Sequence, residues 1–156
     1  MAFQEDITDI LDPEILDLLG TVTACTCALV DPEESCNPPT RWTADVDLSR
    51  ADTELLLSLL RDARSWWLAA KRCLPKRTAI LCLHSRVQAD IKLHVGMSCF
   101  DWTLAVDGKD DVWGFFDPVS AEVRGILKRT FPELASAHST SMWKAGAIAS
   151  LKRDLQ

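Results

Sequence analysis

The first forty residues contain no lysine or arginine, yet they hold nine carboxylates: Glu5, Asp6, Asp9, Asp12, Glu14, Asp17, Asp31, Glu33 and Glu34. All 17 bases lie in the remaining 116 residues, beside 14 acids. An acidic surface at one end disfavours nucleic acid and anionic membrane. It favours a basic protein, a basic patch of the same chain, or a second copy. Carboxylates that merely keep the surface solvated are the plainer alternative. No apolar run reaches the length that spans a bilayer. The chain opens with acids instead of the basic stretch of a signal peptide, so a cytoplasmic location is expected. None of the six glycines forms a Gly-x-Gly or Walker loop, and no Gly-x-Ser-x-Gly elbow occurs, which argues against phosphate cradles and serine hydrolases. Cys-x-x-Cys is absent, which weakens a zinc site. Tyrosine is absent beside six tryptophans, an imbalance with no evident physical cause.

What is present describes a globular chain. At 156 residues with 47% hydrophobic content, it can bury a core without disulfides or metal. We read residues 1–156 as a single α+β domain, with no internal repeat. Phe3, Ile7, Ile10, Leu11, Ile15, Leu18 and Leu19 recur at helical spacing between carboxylates, so residues 1–20 predict an acidic amphipathic N-terminal helix. Asp12-Pro13 is a start signal inside it, which leaves the first half as a separate turn. Residues 21–30 and 42–48 read as strands around a proline-rich loop. Leu56, Leu60, Ala63, Trp67 and Ala70 share one stripe, which predicts a long central helix over 50–73 that Pro75 stops.

Four strands should follow, at 78–84, 87–95, 100–106 and 112–116, the second and third alternating apolar and polar residues. Such alternation marks an antiparallel sheet with one buried face. Asp117-Pro118 is read as the cap of a helix running to about Thr130, and a last helix is expected over 141–155. The expected architecture is therefore α+β: an antiparallel sheet of five to six strands packed on the long central helix, with N- and C-terminal helices. Cysteines at 25, 27, 36, 73, 82 and 99 form no regular framework and are read as free thiols.

Two constellations could carry chemistry. His94 on one strand and Asp117 after an aromatic strand could place a carboxylate against an imidazole, the pair that stabilises a cysteine thiolate. The stretch 94–117 resembles the His-to-Asp half of papain-like cysteine proteases and related acyltransferases. That resemblance implies a thiol nucleophile, for which Cys25 and Cys27 are the candidates. The competing reading makes Asp117 a helix cap and His94 a solvent-facing strand residue. Cys25-x-Cys27 with Cys82-x-His84 could offer zinc ligands from neighbouring strands, but buried cysteine is the commoner role. No metal or other cofactor is therefore expected.

The N-terminal helix has a binding reading. Ile15, Leu18 and Leu19 show the spacing used in helix-in-groove docking, or they pack on the protein's own sheet. The sequence thus predicts a small acidic intracellular protein-binding protein of the inhibitor, immunity or chaperone-like kind. Its partner would be another protein with a basic surface, not nucleic acid or membrane. Asp9, Glu14, Asp17, Leu18 and Leu19 are the candidate contact residues. A cysteine-dependent hydrolase or acyltransferase using Cys25 or Cys27 with His94 and Asp117 is the alternative, and a homodimer is a third reading.

Overall fold

Side-chain alternation organises the sheet. In a computed structural model of the protein, which describes residues 6–31, 41–69 and 71–135, six strands form one antiparallel sheet. They are β1 (Val22–Leu29), β2 (Val46–Asp47), β3 (Ala79–Ser85), β4 (Asp90–Gly96), β5 (Asp101–Val106) and β6 (Val112–Phe115), in the order β2-β1-β3-β4-β5-β6. Register places Cys27, Leu81, Leu93 and Leu104 on one line across four strands. All four are buried in a single core cluster. The neighbouring line runs Ala28, Ile80, His94, Thr103 and Trp113, and successive residues of a strand point to opposite faces. One face is thus uniformly apolar while the other mixes small, titratable and aromatic side chains.

Three helices cover the apolar face: α1 (Pro13–Leu19), α2 (Arg50–Leu60) and α3 (Ser120–Thr130). Ile15 and Leu19 of α1, Leu56, Leu59 and Leu60 of α2, and Val123, Ile126 and Leu127 of α3 enter the same core. Each such side chain contributes about 1.5–3 kcal/mol on leaving water. Asp12 caps α1 by accepting from the Glu14 and Ile15 amides at 2.8 and 3.2 Å. A separate 3-10 turn, Ile7–Asp9, precedes it, capped by Asp6. Asp52 in α2 is buried, and Arg129 of α3 answers it with Nη2 at 2.8 Å and Nε at 3.0 Å. A carboxylate at that depth requires such a partner.

The fold corrects four expectations. The long central helix over 50–73 is not there: α2 ends at Leu60. The Asp62 carboxylate accepts from the Arg64 amide and starts a new 3-10 turn, Ala63–Trp66. Trp66 then folds back, its indole N–H donating to the Leu60 carbonyl at 2.9 Å. A Cβ on Gly114 would lie 2.9 Å from the Trp66 Cα, so glycine is what lets this turn press onto β6. Second, the strand expected over 42–48 shrinks to Val46–Asp47, because the Thr43 hydroxyl takes the Leu29 amide at 3.0 Å in place of a ladder bond. Third, Cys73 and Cys99 are joined in a disulfide, whereas all six cysteines were expected to be free; Cys25, Cys27 and Cys82 are free. The core suffices without a bridge, so composition gave no reason to expect one. Fourth, Asp117 does not cap α3 with its side chain, which goes to Lys71 instead. The helix expected over 141–155 lies outside the described residues, as does Cys36.

Between the Ala63–Trp66 turn and β3, the described residues 67–69 and 71–78 form a strap in which only Trp67 makes a β-bridge, to Phe115. Trp67 exchanges two backbone hydrogen bonds with Phe115 at 2.9 and 2.8 Å. Lys71 Nζ lies 4.4 Å from the Phe115 ring centre, donates to the Cys99 carbonyl at 2.9 Å and meets Asp117 at 2.5 Å. The disulfide and the Thr78 amide, 2.7 Å from the Val95 carbonyl, fasten the rest.

Candidate functional site

Among the described residues, one recess with polar walls lies beside α1 and another on the mixed face of the sheet. The first lies where α1 meets the β5–β6 turn. Ile10 and Val112, both half-buried, form an apolar floor, and Asp12, Asp110 and Asp111 stand around it. Lys109 reaches across to Glu14 at 2.6 Å and Asp12 at 3.2 Å. Hydrogen bonding to Glu14 and then to Asp12 holds the Lys109 ammonium above its usual range. Asp12 titrates lower than usual, chiefly because the Ile15 amide donates to it. Asp6, Asp9 and Asp17 are exposed on the same N-terminal segment, and Asp107 is exposed on the turn. The acidic surface is therefore composite, built from two stretches about ninety residues apart in the chain. Reading the sequence found only the first of them. Asp107, Asp110 and Asp111 carried no signal, because their closeness to α1 depends on where the last hairpin packs.

Among the candidate contact residues, Asp9, Glu14 and Asp17 are exposed and Leu18 is partly buried against the core. Ile15 and Leu19 are buried in the protein's own core. Helix α1 thus spends its apolar stripe internally and offers carboxylates outward.

The second place is on the sheet's mixed face, a recess of about 230 Å³ between the strap and strands β4 to β6. His94, Asp101, Thr103 and Trp113 line it from the sheet, and Arg77 from the strap. Asp101 is 8% exposed. Burial raises its pKa, opposed by a hydrogen bond from Trp113 and by Lys71. His94 is shifted down by burial and then by Arg77 and Lys92, with Asp111 opposing. His94 Nδ1 and Asp101 Oδ1 are buried without hydrogen-bond partners among the described residues.

The thiol set does not come together. Cys25 pairs with Leu83 and Cys27 with Leu81, so both point into the core, while His94 points out of the opposite face. Burial pushes the Cys25 thiol up to about 12 and the Cys27 thiol well above its usual value. A thiol held neutral is a poor nucleophile. Asp117 is engaged by Lys71. The zinc set fails for the same reason: Cys82 and His84 lie on the mixed face, and the His84 ring bonds Thr26 at 3.1 Å. No group of three or more potential metal ligands occurs among the described residues, and no helix among them is long and apolar enough to cross a membrane. No protein-family model, curated protein or solved structure matches the chain.

Proposed function

We propose that this is a small partner-binding protein of the inhibitor, immunity or chaperone-like kind, whose acidic face receives a basic surface of another protein. One observation carries the reading. Carboxylates from the start of α1 and from the β5–β6 turn surround one depression with an apolar floor, and among the described residues that line it Lys109 is the one base. Charge around an apolar contact raises the encounter rate, while the floor supplies area removed from water. Ion pairs on so exposed a surface add little affinity by themselves. The face would therefore act mainly on association rate.

The test is stopped-flow association with a lysine-rich peptide across a salt series. Converting Asp9, Glu14 and Asp17 to their amides should slow association by roughly tenfold at low ionic strength and flatten the salt dependence. The pair Asp110→Asn and Asp111→Asn should act in the same direction. An unchanged low-salt on-rate in both variants would remove the acidic face from the function.

A further inference from the structure

The strap carries a charge pattern opposite to that of the acidic face. From Ala63 to Ala89 the chain holds no carboxylate, and Lys71-Arg72-Cys73-Leu74-Pro75-Lys76-Arg77 places four bases around one cysteine. Arg72, Cys73 and Arg77 are exposed. The other half of the disulfide is not: Cys99, on the turn between β4 and β5, is 2% exposed. The two ends of the bridge therefore differ in access, and an incoming thiol meets Cys73. Neither cysteine belongs to the core cluster, so the bridge ties strap to turn without holding the core together.

The strap has other fastenings at its ends. Lys71 is held by Asp117 and the Cys99 carbonyl, and Thr78 by the Val95 carbonyl and by the Met97 amide, which donates to its hydroxyl. Between them the disulfide is the covalent tie, and the Lys76 carbonyl lies against Gly96, where a Cβ would come within 2.6 Å of it. Pro75, Lys76 and Arg77 form the strap's wall of the mixed-face recess, with Thr103 and Trp113 on the sheet side. Breaking the bridge thus loosens that wall while the strands and the core stay paired.

Charge selects the reagent. Disulfide exchange is carried out by a thiolate. A thiol whose molecule also bears carboxylates is drawn towards Arg72 and Arg77, and one bearing an ammonium is repelled. Of the acids beside the strap, Asp117 is paired with Lys71 and Asp101 is buried.

We propose that the Cys73–Cys99 bridge is an exchange site for a small anionic thiol of the glutathione class, and that exchange there unfastens the strap from the β4–β5 turn. The thiolate attacks the Cys73 sulfur and forms a mixed disulfide with it. The original S–S bond breaks, and the Cys99 thiolate leaves and takes a proton from water. A second thiolate attacks the reagent's sulfur, releasing Cys73 as a thiolate and the reagent as its own disulfide. Two reagent thiols are oxidised and the protein bridge is reduced.

The experiment treats the folded, oxidised full chain, without denaturant, with glutathione, mercaptoethanol and cysteamine, which are anionic, neutral and cationic. Rates are compared per thiolate, and acid-quenched products are mapped by mass spectrometry. We expect an adduct on Cys73 and a rate with glutathione roughly fivefold above that with cysteamine at low salt, a gap that closes at high salt. Arg72→Gln/Arg77→Gln, at two exposed positions, should narrow the gap. After reduction, tryptic cleavage following Lys76 should quicken and the Trp113 indole signal should move, while amides of β1 and β3 keep their protection. Cys73→Ser/Cys99→Ser should reproduce both changes. Exchange with cysteamine as fast as with glutathione would overturn the proposal. So would an adduct that forms only in denaturant, or a strap equally resistant to trypsin before and after reduction. These outcomes leave the salt-dependence test of the acidic face untouched, because Arg72, Cys73 and Arg77 take no part in it.

Discussion

The two faces of the sheet are made by the same strands yet obey different rules. On the helix-covered face every line across the sheet is apolar, as with Cys27, Leu81, Leu93 and Leu104. On the other, adjacent positions hold Ile80, His94, Thr103 and Trp113, while buried polar atoms without a partner among the described residues occur on both faces, Trp102 Nε1 on the first and His94 Nδ1 on the second. Packing is closed on the first face and left open on the second. The lesson is that alternation tells which residues share a face, whereas how closely a face is packed depends on what the rest of the chain lays over it.

The sharpest way to test this contrast uses two consecutive residues of β4. Leu93→Ala removes a fully buried side chain from the closed face and should cost about 2–5 kcal/mol. His94→Ala, one residue on, should cost under about 1 kcal/mol, because it also removes an unpaired buried nitrogen. Urea denaturation reads both. Similar losses in the two variants would mean that the mixed face is packed as tightly as the core.

Next in size comes the strap. Breaking the Cys73–Cys99 bridge, whose ends are 26 positions apart, should cost about 3 kcal/mol through the freed unfolded chain. Cys73 is exposed, so a dithiol reductant can reach it. The oxidised protein and a Cys73→Ser/Cys99→Ser variant should differ by that amount in denaturant. Hydrogen exchange should quicken at Met97, whose amide donates to the Thr78 hydroxyl at 2.9 Å, while amides of β1 and β3 change little.

The smallest expected effect is a pH dependence. His94 titrates below its usual value in the fold, first because it is buried. Its contribution is therefore full above about 6.5, the unfolded value, and is lost as pH falls through the folded pKa. Asp101 has the opposite sign: its raised pKa favours the fold below the usual carboxylate value, and that gain disappears as pH rises through the folded pKa. Thermal unfolding between pH 4 and 8 should show a shallower acid-side slope in His94→Gln. An unaltered slope would mean that His94 is solvated in the folded protein.

Much of the sheet was legible because alternation is a local property. Ile91, Leu93 and Val95 were readable as one face and Lys92 and His94 as the other, and β3 to β6 fall within a few residues of their expected places. The over-long helix had a physical source too. Trp66, Trp67 and Ala70 continue the helical stripe, so periodicity cannot register that the Asp62 side chain ends one helix and starts another turn. The Asp62 cap was a signal available in the sequence. The disulfide, the Asp117–Lys71 pair and the second half of the acidic face were not, since each joins segments whose approach depends on the strap and the last hairpin. For the thiol reading, strand parity was decisive: Cys25 and Cys27 share a face with Leu81 and Leu83 partners, and His94 takes the other.

Strand order also carries a consequence for how the chain reaches this state. β3 to β6 pair with their immediate successors, so each step closes a short loop. β1 instead pairs with β3 in a register that joins Val22 to Ser85 and Leu29 to Ala79, after a long intervening segment. Closing that larger loop carries the greater entropic cost and is rewarded only once β3 stands in place. The hairpins should assemble first and β1 dock last, so that the transition state for folding shows high φ-values in β4 and β5 and low ones in β1. Until it docks, β3 is an open edge, and the nascent chain has its greatest exposure to misassociation there.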